Sequence, residues 1–459
     1  MMMPAAEMGL ASSYGDFLYI TGGYFAQYFA QQFATSSYVD YSRFNMSASR
    51  SSSTYAQLYQ NVLNNLKIIS DRASTESDWA TCLAATTLRA FTFQALVDCY
   101  GSVPYKEALN PDDLTPAYDD GLTVYEGVLS ELDEALSKVS PSDNVCTNFL
   151  FPGQTADSWI KLAKAVKLKL LMRMSGVKDV QSELASLISE GDFPTSDVEW
   201  TGCWADQAGK RNPLYSEEFA PGQQQNLVAN LAIVNTMQVR DASGNIVYTD
   251  PRLSAFFSPN SFGNYEGSIS GAVYTGTVIY NESYWCRPIV TYNRPVYLLT
   301  VAETEFFLAE YYARYGTAAE AAAHYQKAVE ASFNTAGVSG AADYLARNPY
   351  DSSNPIKSIG IAKWVAMCGV NPFEGWCELR RLDYPEFGTA QGSEFYNNTD
   401  ESFDTSSYVP GTLYTPIQVF GQVGNNHLLE RFPFAEYSSS RNENVPEFPG
   451  YTAPIFWAE

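Results

Sequence analysis

The sequence predicts a mainly helical protein: four helical hairpins of tetratricopeptide-like size, one irregular and partly β insertion, and a C-terminal tail that wraps the scaffold. Three observations predict it. Apolar residues recur at three- and four-residue steps in two separated regions, which is the pattern of helices with one buried face. The periodic segments come in pairs with short or modest connections, as stacked helix–turn–helix units do, although the strict Trp-Leu-Gly-Tyr repeat pattern is absent. Between the two regions the periodicity gives way to Gly, Pro, Ser and aromatic residues.

The first hairpin is expected at about 55–100. Tyr55, Leu58, Tyr59, Val62, Leu63, Leu66 and Ile69 form its first stripe. Its second helix starts at an N-cap, Ser77 or Asp78, and stops at Gly101, which accepts positive φ. A second hairpin, about 121–176, carries Tyr125, Val128, Leu129, Leu132 and Leu136 and then "DSWIKLAKAVKLKLLMRMSG". In that run Lys161, Lys164, Lys167, Lys169 and Arg173 read as a solvated helix face. The insertion follows at about 192–297, with short strands expected in "DASGNIVYTDPR" and "YEGSISGAVYTGTVIY". Helices return at about 298–338, hinged at Gly316, and at about 356–385, ended by Pro385. Arg380 and Arg381 are read as forked donors to carboxylates such as Glu303, Glu310, Glu374 or Glu378, tying the last hairpins together. The tail from 386 to 459 is long enough to wrap these units.

Composition narrows the function. With 46% hydrophobic residues the chain of 459 is globular, and a formal charge of −23 opposes binding to nucleic acid. The acid is spread without long like-charged runs, as on a solubilising surface. Seven Cys show no CxxC spacing and only two His are present, which argues against a zinc site; the thiols read as small buried hydrophobes. No stretch reads as the roughly 18 apolar residues that span a bilayer, and the first residues lack signal-peptide character. His324 and His427 have no GxSxG or HExxH context. "NPDDLTPAYDDG" lacks EF-hand alternation. Among 51 acids no carboxylate pair stands out for glycoside hydrolysis. No catalytic residue, metal or cofactor is therefore expected.

A binding surface has better support. The chain holds 32 Tyr and 8 Trp, and several lie in loops outside the helical stripes. "SSYVDYSRF" offers Tyr38, Tyr41 and Phe44; "VEWTGCWADQAGKRNPLY" offers Trp200, Trp204, Arg211, Asn212 and Tyr215. "VIYNESYWCRPIV" adds Tyr280, Tyr284, Trp285 and Arg287. Aromatic faces meet the C–H faces of sugars or apolar peptide groups, while Arg and Asn supply directional bonds. Trp200, Trp204 and Trp285 are expected to form a stacking platform.

The motifs carry a resemblance. "DCYGSVPYKEAL" resembles the tyrosine–glycine–x–valine–proline–tyrosine loop of the SusD/RagB family, in its SusD-like branch. "TPAYDDGLTVYEGVLSELDEAL", "WIKLAKAVKLKLLMRMS", "AETEFFLAE" with "YQKAVEASFNTAGV", "AKWVAMCGVNPFEGWCELRRLDYP" and "RFPFAEYSSSRNENVP" are similar to later segments of that branch, in family order. The resemblance implies one SusD-like domain over 1–459. It also implies an outer-membrane, surface-exposed nutrient-binding lipoprotein of Bacteroidetes that captures oligosaccharides and delivers them to a TonB-dependent SusC-like transporter. The lipid anchor would precede this chain, which shows no lipobox cysteine. Ala362 stands before Lys363–Trp364 where the branch has Gln, and Phe432-Pro433-Phe434 replaces a tyrosine–proline pair. A peptide ligand, a glycoside hydrolase and a helical scaffold that binds only protein remain as alternatives. In the opening loop, Asp98, Tyr100, Tyr105 and Glu107 are expected to pin helices rather than touch ligand.

Overall fold

Helix Trp79–Tyr100 carries apolar or small residues on nearly every side, and the fold answers by surrounding it. Ser52–Gln57, Leu58–Leu63 and Asn64–Thr75 run on as one helix along it, with a π-helical turn in the middle segment. Gly121–Leu136, Ala156–Met174 and Met2–Gly15 also pack on it. The computed structural model describes residues 2–32, 34–273, 284–397, 399–400 and 402–458. Asp78 is the N-cap, its Oδ1 accepting from the Thr81 amide at 3.1 Å, and Gly101 closes the helix at φ 80°. In length and hydropathy this helix matches a membrane span, contrary to the sequence reading. With 89% of its apolar window buried it is a core helix.

The third pair, Val301–Tyr315 and Ala318–Ala336, turns at Gly316 into a capping box made by Thr317 and Glu320. The fourth, Pro355–Met367 and Pro372–Leu382, opens each helix with a proline, where the missing N–H costs nothing. A separate apolar cluster of Phe306, Tyr325, Phe333, Tyr344 and Ile359 joins these two pairs. The mainly α fold with helical hairpins, a partly β insertion and a wrapping tail is as the sequence predicts.

Helices outside the four predicted pairs include Met2–Gly15 and Phe17–Phe25. Both are buried around most of their circumference, so no polar face marks a period. Phe17–Phe25 packs on Pro372–Leu382 so closely that a Cβ on Gly22 would stand 2.5 Å from Phe373 Cα.

The insertion is tied down by two-stranded antiparallel pairs. Leu227–Ala229 pairs with Phe29–Gln31, and Val198–Trp200 with Val296–Leu299. Phe257–Ser258 pairs with Arg287–Pro288. The tail then crosses the helices. The Phe432 amide donates to Cys99 O at 2.7 Å, its ring stacks on Trp376 at 5.2 Å, and Trp457 Nε1 donates to Asp98 Oδ1 at 2.9 Å. All seven cysteines are free thiols.

The basic stripe of helix Ala156–Met174 needs correction. Lys161, Lys164 and Lys167 do lie at the surface with acidic partners. Lys169 and Arg173 instead point into the core, at 0% and 1% exposure. Lys169 Nζ sits 2.9 Å from Glu303 and 2.6 Å from Glu374. Arg173 bridges Asp98, Glu374 and Glu378. Glu378 passes the network to Lys363 at 2.9 Å and Arg381 at 2.6 Å, and Arg381 forks onto Glu310. Burial alone would raise the Glu378 pKa, but Arg381, Lys363 and Arg173 hold it well below the usual carboxylate range. Charges can sit in a core only when paired this fully. Arg381 thus forks as expected. Arg380 lies 3.5 Å over the Trp376 ring and donates to the backbone oxygens of Asp98 and Glu430.

In the opening loop Asp98, Tyr100, Tyr105 and Glu107 bond and pack within the fold. Asp98 accepts from Gln94, Tyr125 and Trp457, and Tyr105 OH donates to Glu131 at 2.6 Å. Glu107 accepts from the Ala117 amide at 2.8 Å, and the Tyr100 ring packs edge-on against Tyr55 and Phe432.

Candidate functional site

The loop face of the insertion meets the segment before the first hairpin at Asn226, whose carbonyl accepts from the Gln32 amide at 2.8 Å. Gln31 Oε1 accepts from the Tyr38 amide at 2.9 Å, and burial, joined by the negative charge of nearby Glu218, raises the Tyr38 pKa. Glu218 also accepts from Asn226 N at 2.6 Å and Nδ2 at 3.0 Å. Next to it, Gln225 Oε1 accepts from Arg287 Nη1 at 2.7 Å. Asn212 is buried and acts as a clamp. Its amide donates to Tyr292 O at 2.7 Å, its Nδ2 to Arg294 O at 2.8 Å, and its Oδ1 accepts from the Tyr215 amide at 3.1 Å. Arg211 lies 5.7 Å over the Tyr215 ring, and Tyr215 meets Tyr292 edge-on at 6.5 Å. The site therefore brings Arg211, Asn212 and Tyr215 together at one loop, and anchors Glu218 and Arg287 on the adjacent residues Asn226 and Gln225.

The expected platform of three indoles is not formed. Trp200 and Trp285 are 0% and 1% exposed, so neither presents a ring face to solvent. Trp200 stands on a strand opposite Val296 with its side chain in the core, and Trp285 packs against Tyr284 and Phe403. Trp204 is half-buried and donates its indole N–H to Trp200 O at 2.8 Å. Tyr38 and Tyr41 are buried and stacked at 5.6 Å, and Phe44 is fully buried: these rings fix the loop. Tyr284 is half-buried beneath exposed Phe262, 6.3 Å away. Tyr280 lies outside the described residues.

Sequence reasoning missed Tyr292, exposed at 37%, though it stands in "VTYNRPVY" just beyond Arg287 and has the same loop aromatic character. Asp16 gave no signal at all. It joins the two N-terminal helices, and burial, with Glu217 and Glu218 near, pushes its carboxyl up to about 7. Among the described residues none of these three acids forms an ion pair. A carboxyl raised in the native state binds its proton there but not in the unfolded chain between about pH 4 and 7. Its stabilising contribution is therefore full below the unfolded value and is lost as pH rises through about 7. Asp16→Asn is expected to remove up to one proton from the slope of stability against pH in that window, read from urea midpoints at a series of pH values.

The SusD-like family, described as starch-binding and associating with the outer membrane, matches residues 2–402, and the chain belongs to it. A SusD homologue from Bacteroides uniformis is similar over 100% of this chain and 99% of its own, at 19% identity and TM-score 0.78. A chitin-binding protein is similar over 100% and 99%, at 20% identity and TM-score 0.76. A SusD homologue from Bacteroides fragilis is similar over 99% and 98%, at 19% and 0.69. No curated protein matches the chain.

Proposed function

We propose that this protein captures oligosaccharides at the outer membrane and acts by binding, without chemistry on the glycan. The observation that carries this reading is the half-open Arg211–Tyr215–Tyr292 cluster, in which aromatic rings and a guanidinium meet from two loops joined at buried Asn212. Such a surface offers ring faces to sugar C–H groups and a fixed donor to hydroxyls. The family description and the chitin-binding neighbour support a glycan over a peptide as ligand. Anchoring by an upstream lipid and delivery to a TonB-dependent SusC-like transporter belong to the same proposal.

Titration with maltoheptaose and chitotetraose tests the site. Tyr215→Ala and Tyr292→Ala are each expected to weaken binding by about 1–3 kcal/mol, roughly 5- to 150-fold. Trp285→Ala is expected to spare affinity and to cost stability, about 3–5 kcal/mol for a buried aromatic. Unchanged affinity in both tyrosine variants would overturn the site. Shortened glycans after prolonged incubation would overturn the pure-binding reading. Affinity purification from the native envelope should bring down a large β-barrel, and its absence counts against delivery to a transporter.

A further inference from the structure

A cavity of about 360 Å³ opens between the helical segments Ser52–Gln57 and Leu58–Leu63, the loop 104–116 and the tail around 437–442. It shares no lining residue with the insertion site. Tyr55 and Tyr59 stand in one wall, their rings tilted at 4.8 Å, and Tyr437 stands in another with 43% of its surface exposed. Arg441 covers Tyr437 at 4.3 Å, and Gln60 Nε2 donates to the Tyr437 hydroxyl at 3.3 Å. Leu114, 86% exposed, projects at the rim.

Two backbone irregularities border this cavity. Tyr59 and Gln60 belong to the π-helical turn Leu58–Leu63, which turns the helix's side chains out of regular register where they meet the cavity. On the facing loop Leu109 holds φ 63°, a conformation costly for a branched side chain. Neither is needed to continue a helix or to close a turn with glycine. Irregular backbone of this kind is kept where a side chain must be re-aimed, and here both instances aim side chains at the same space.

The geometry points to a second saccharide site here, separate from the insertion site, for one or two rings of a neutral glycan. The lining sets the exposed Tyr437 ring opposite half-buried Tyr59, with the planar amides of Gln60, Asn110 and Asn442 about them, and its charged side chains, Arg441 and Asp113, are of opposite sign. That pattern suits ring C–H faces with hydroxyls between them and gives no advantage to a charged ligand. The inference extends the saccharide reading to new residues, and two equivalents of glycan per chain follow from it.

Calorimetric titration with maltotetraose and with chitotetraose tests it on the full chain. The native protein is expected to show two classes of site. Tyr437→Ala, a change at an exposed ring, should remove the second class or weaken it at least about 5-fold, while Tyr215→Ala leaves it in place. Arg441→Gln should weaken the same class, with the same thermal unfolding midpoint as the native chain. A single class that Tyr215→Ala abolishes and Tyr437→Ala leaves unaltered overturns the second site and spares the first. Absence of binding by the native chain to both probes overturns both readings together.

Discussion

Arg173→Met should lower the free energy of unfolding by about 3–5 kcal/mol, the usual loss when one partner of a buried ion network is removed. The cause is less the lost attraction than what remains. Asp98 would keep its donors from Tyr125 and Trp457, but its charge, with those of Glu374 and Glu378, would face the core with fewer cations. Lys161→Met on the same helix is the control. Its ammonium faces water beside Asp157, and such exposed pairs are worth about 0–1 kcal/mol. Denaturant titration of the two variants checks the contrast, and equal losses would refute the network's weight. The penalty for Arg173→Met should shrink as pH falls below the ordinary carboxylate range and through the lowered value of Glu374, a carboxyl whose pKa burial raises, an effect that Arg173 and Lys169 more than compensate.

Gly22→Ala should cost about 3 kcal/mol through a different mechanism. The added Cβ would meet Phe373 Cα at 2.5 Å, Phe373 N at 2.6 Å and Pro372 O at 2.6 Å, all backbone atoms that no rotamer change can move. Overpacking a core ordinarily costs about 1–3 kcal/mol, and rigid neighbours place this site at the upper end. The two helices must separate, which also loosens Trp376 against Phe25. Thermal unfolding of Gly22→Ala beside Gly176→Ala, where nothing lies within 4 Å of an added Cβ, measures it.

Much of this fold was legible because amphipathic helices write their buried face into the sequence at a fixed period. The N-terminal helices were not, because a segment buried on all sides writes no period. The Lys169 and Arg173 error has an angular origin. At about 100° per residue they stand about 80° and 120° from Lys161 in one sense, while Lys164 and Lys167 stand about 60° and 120° in the other. Grouping the residues by charge hid a division that their spacing recorded. In the insertion no such arithmetic exists. Trp200 and Trp204 look alike in sequence, and only the pairing of Val198–Trp200 with Val296–Leu299 decides which one is buried. Arg211, Asn212 and Tyr215 are neighbours in the chain, and their closeness could be read directly. Their contact with Tyr292 depends on a hydrogen bond from the Asn212 amide to Tyr292 O, between residues far apart in the chain, and could not.

The bond from Trp457 to Asp98 sets an order of events during synthesis. The two residues are 359 positions apart, and Gln27 reaches Tyr414 across 387. A growing chain presents helix Trp79–Tyr100 early, yet the tail that covers Asp98 leaves the ribosome only after nearly every other segment. Contacts this distant in sequence form late, because loop closure must precede their reward. Until residue 457 is made, the nascent helices carry an incompletely covered charge cluster and an open apolar seam where Phe432 will lie. The seam beneath Phe432 and the charges around Asp98 are covered only when these distant segments meet.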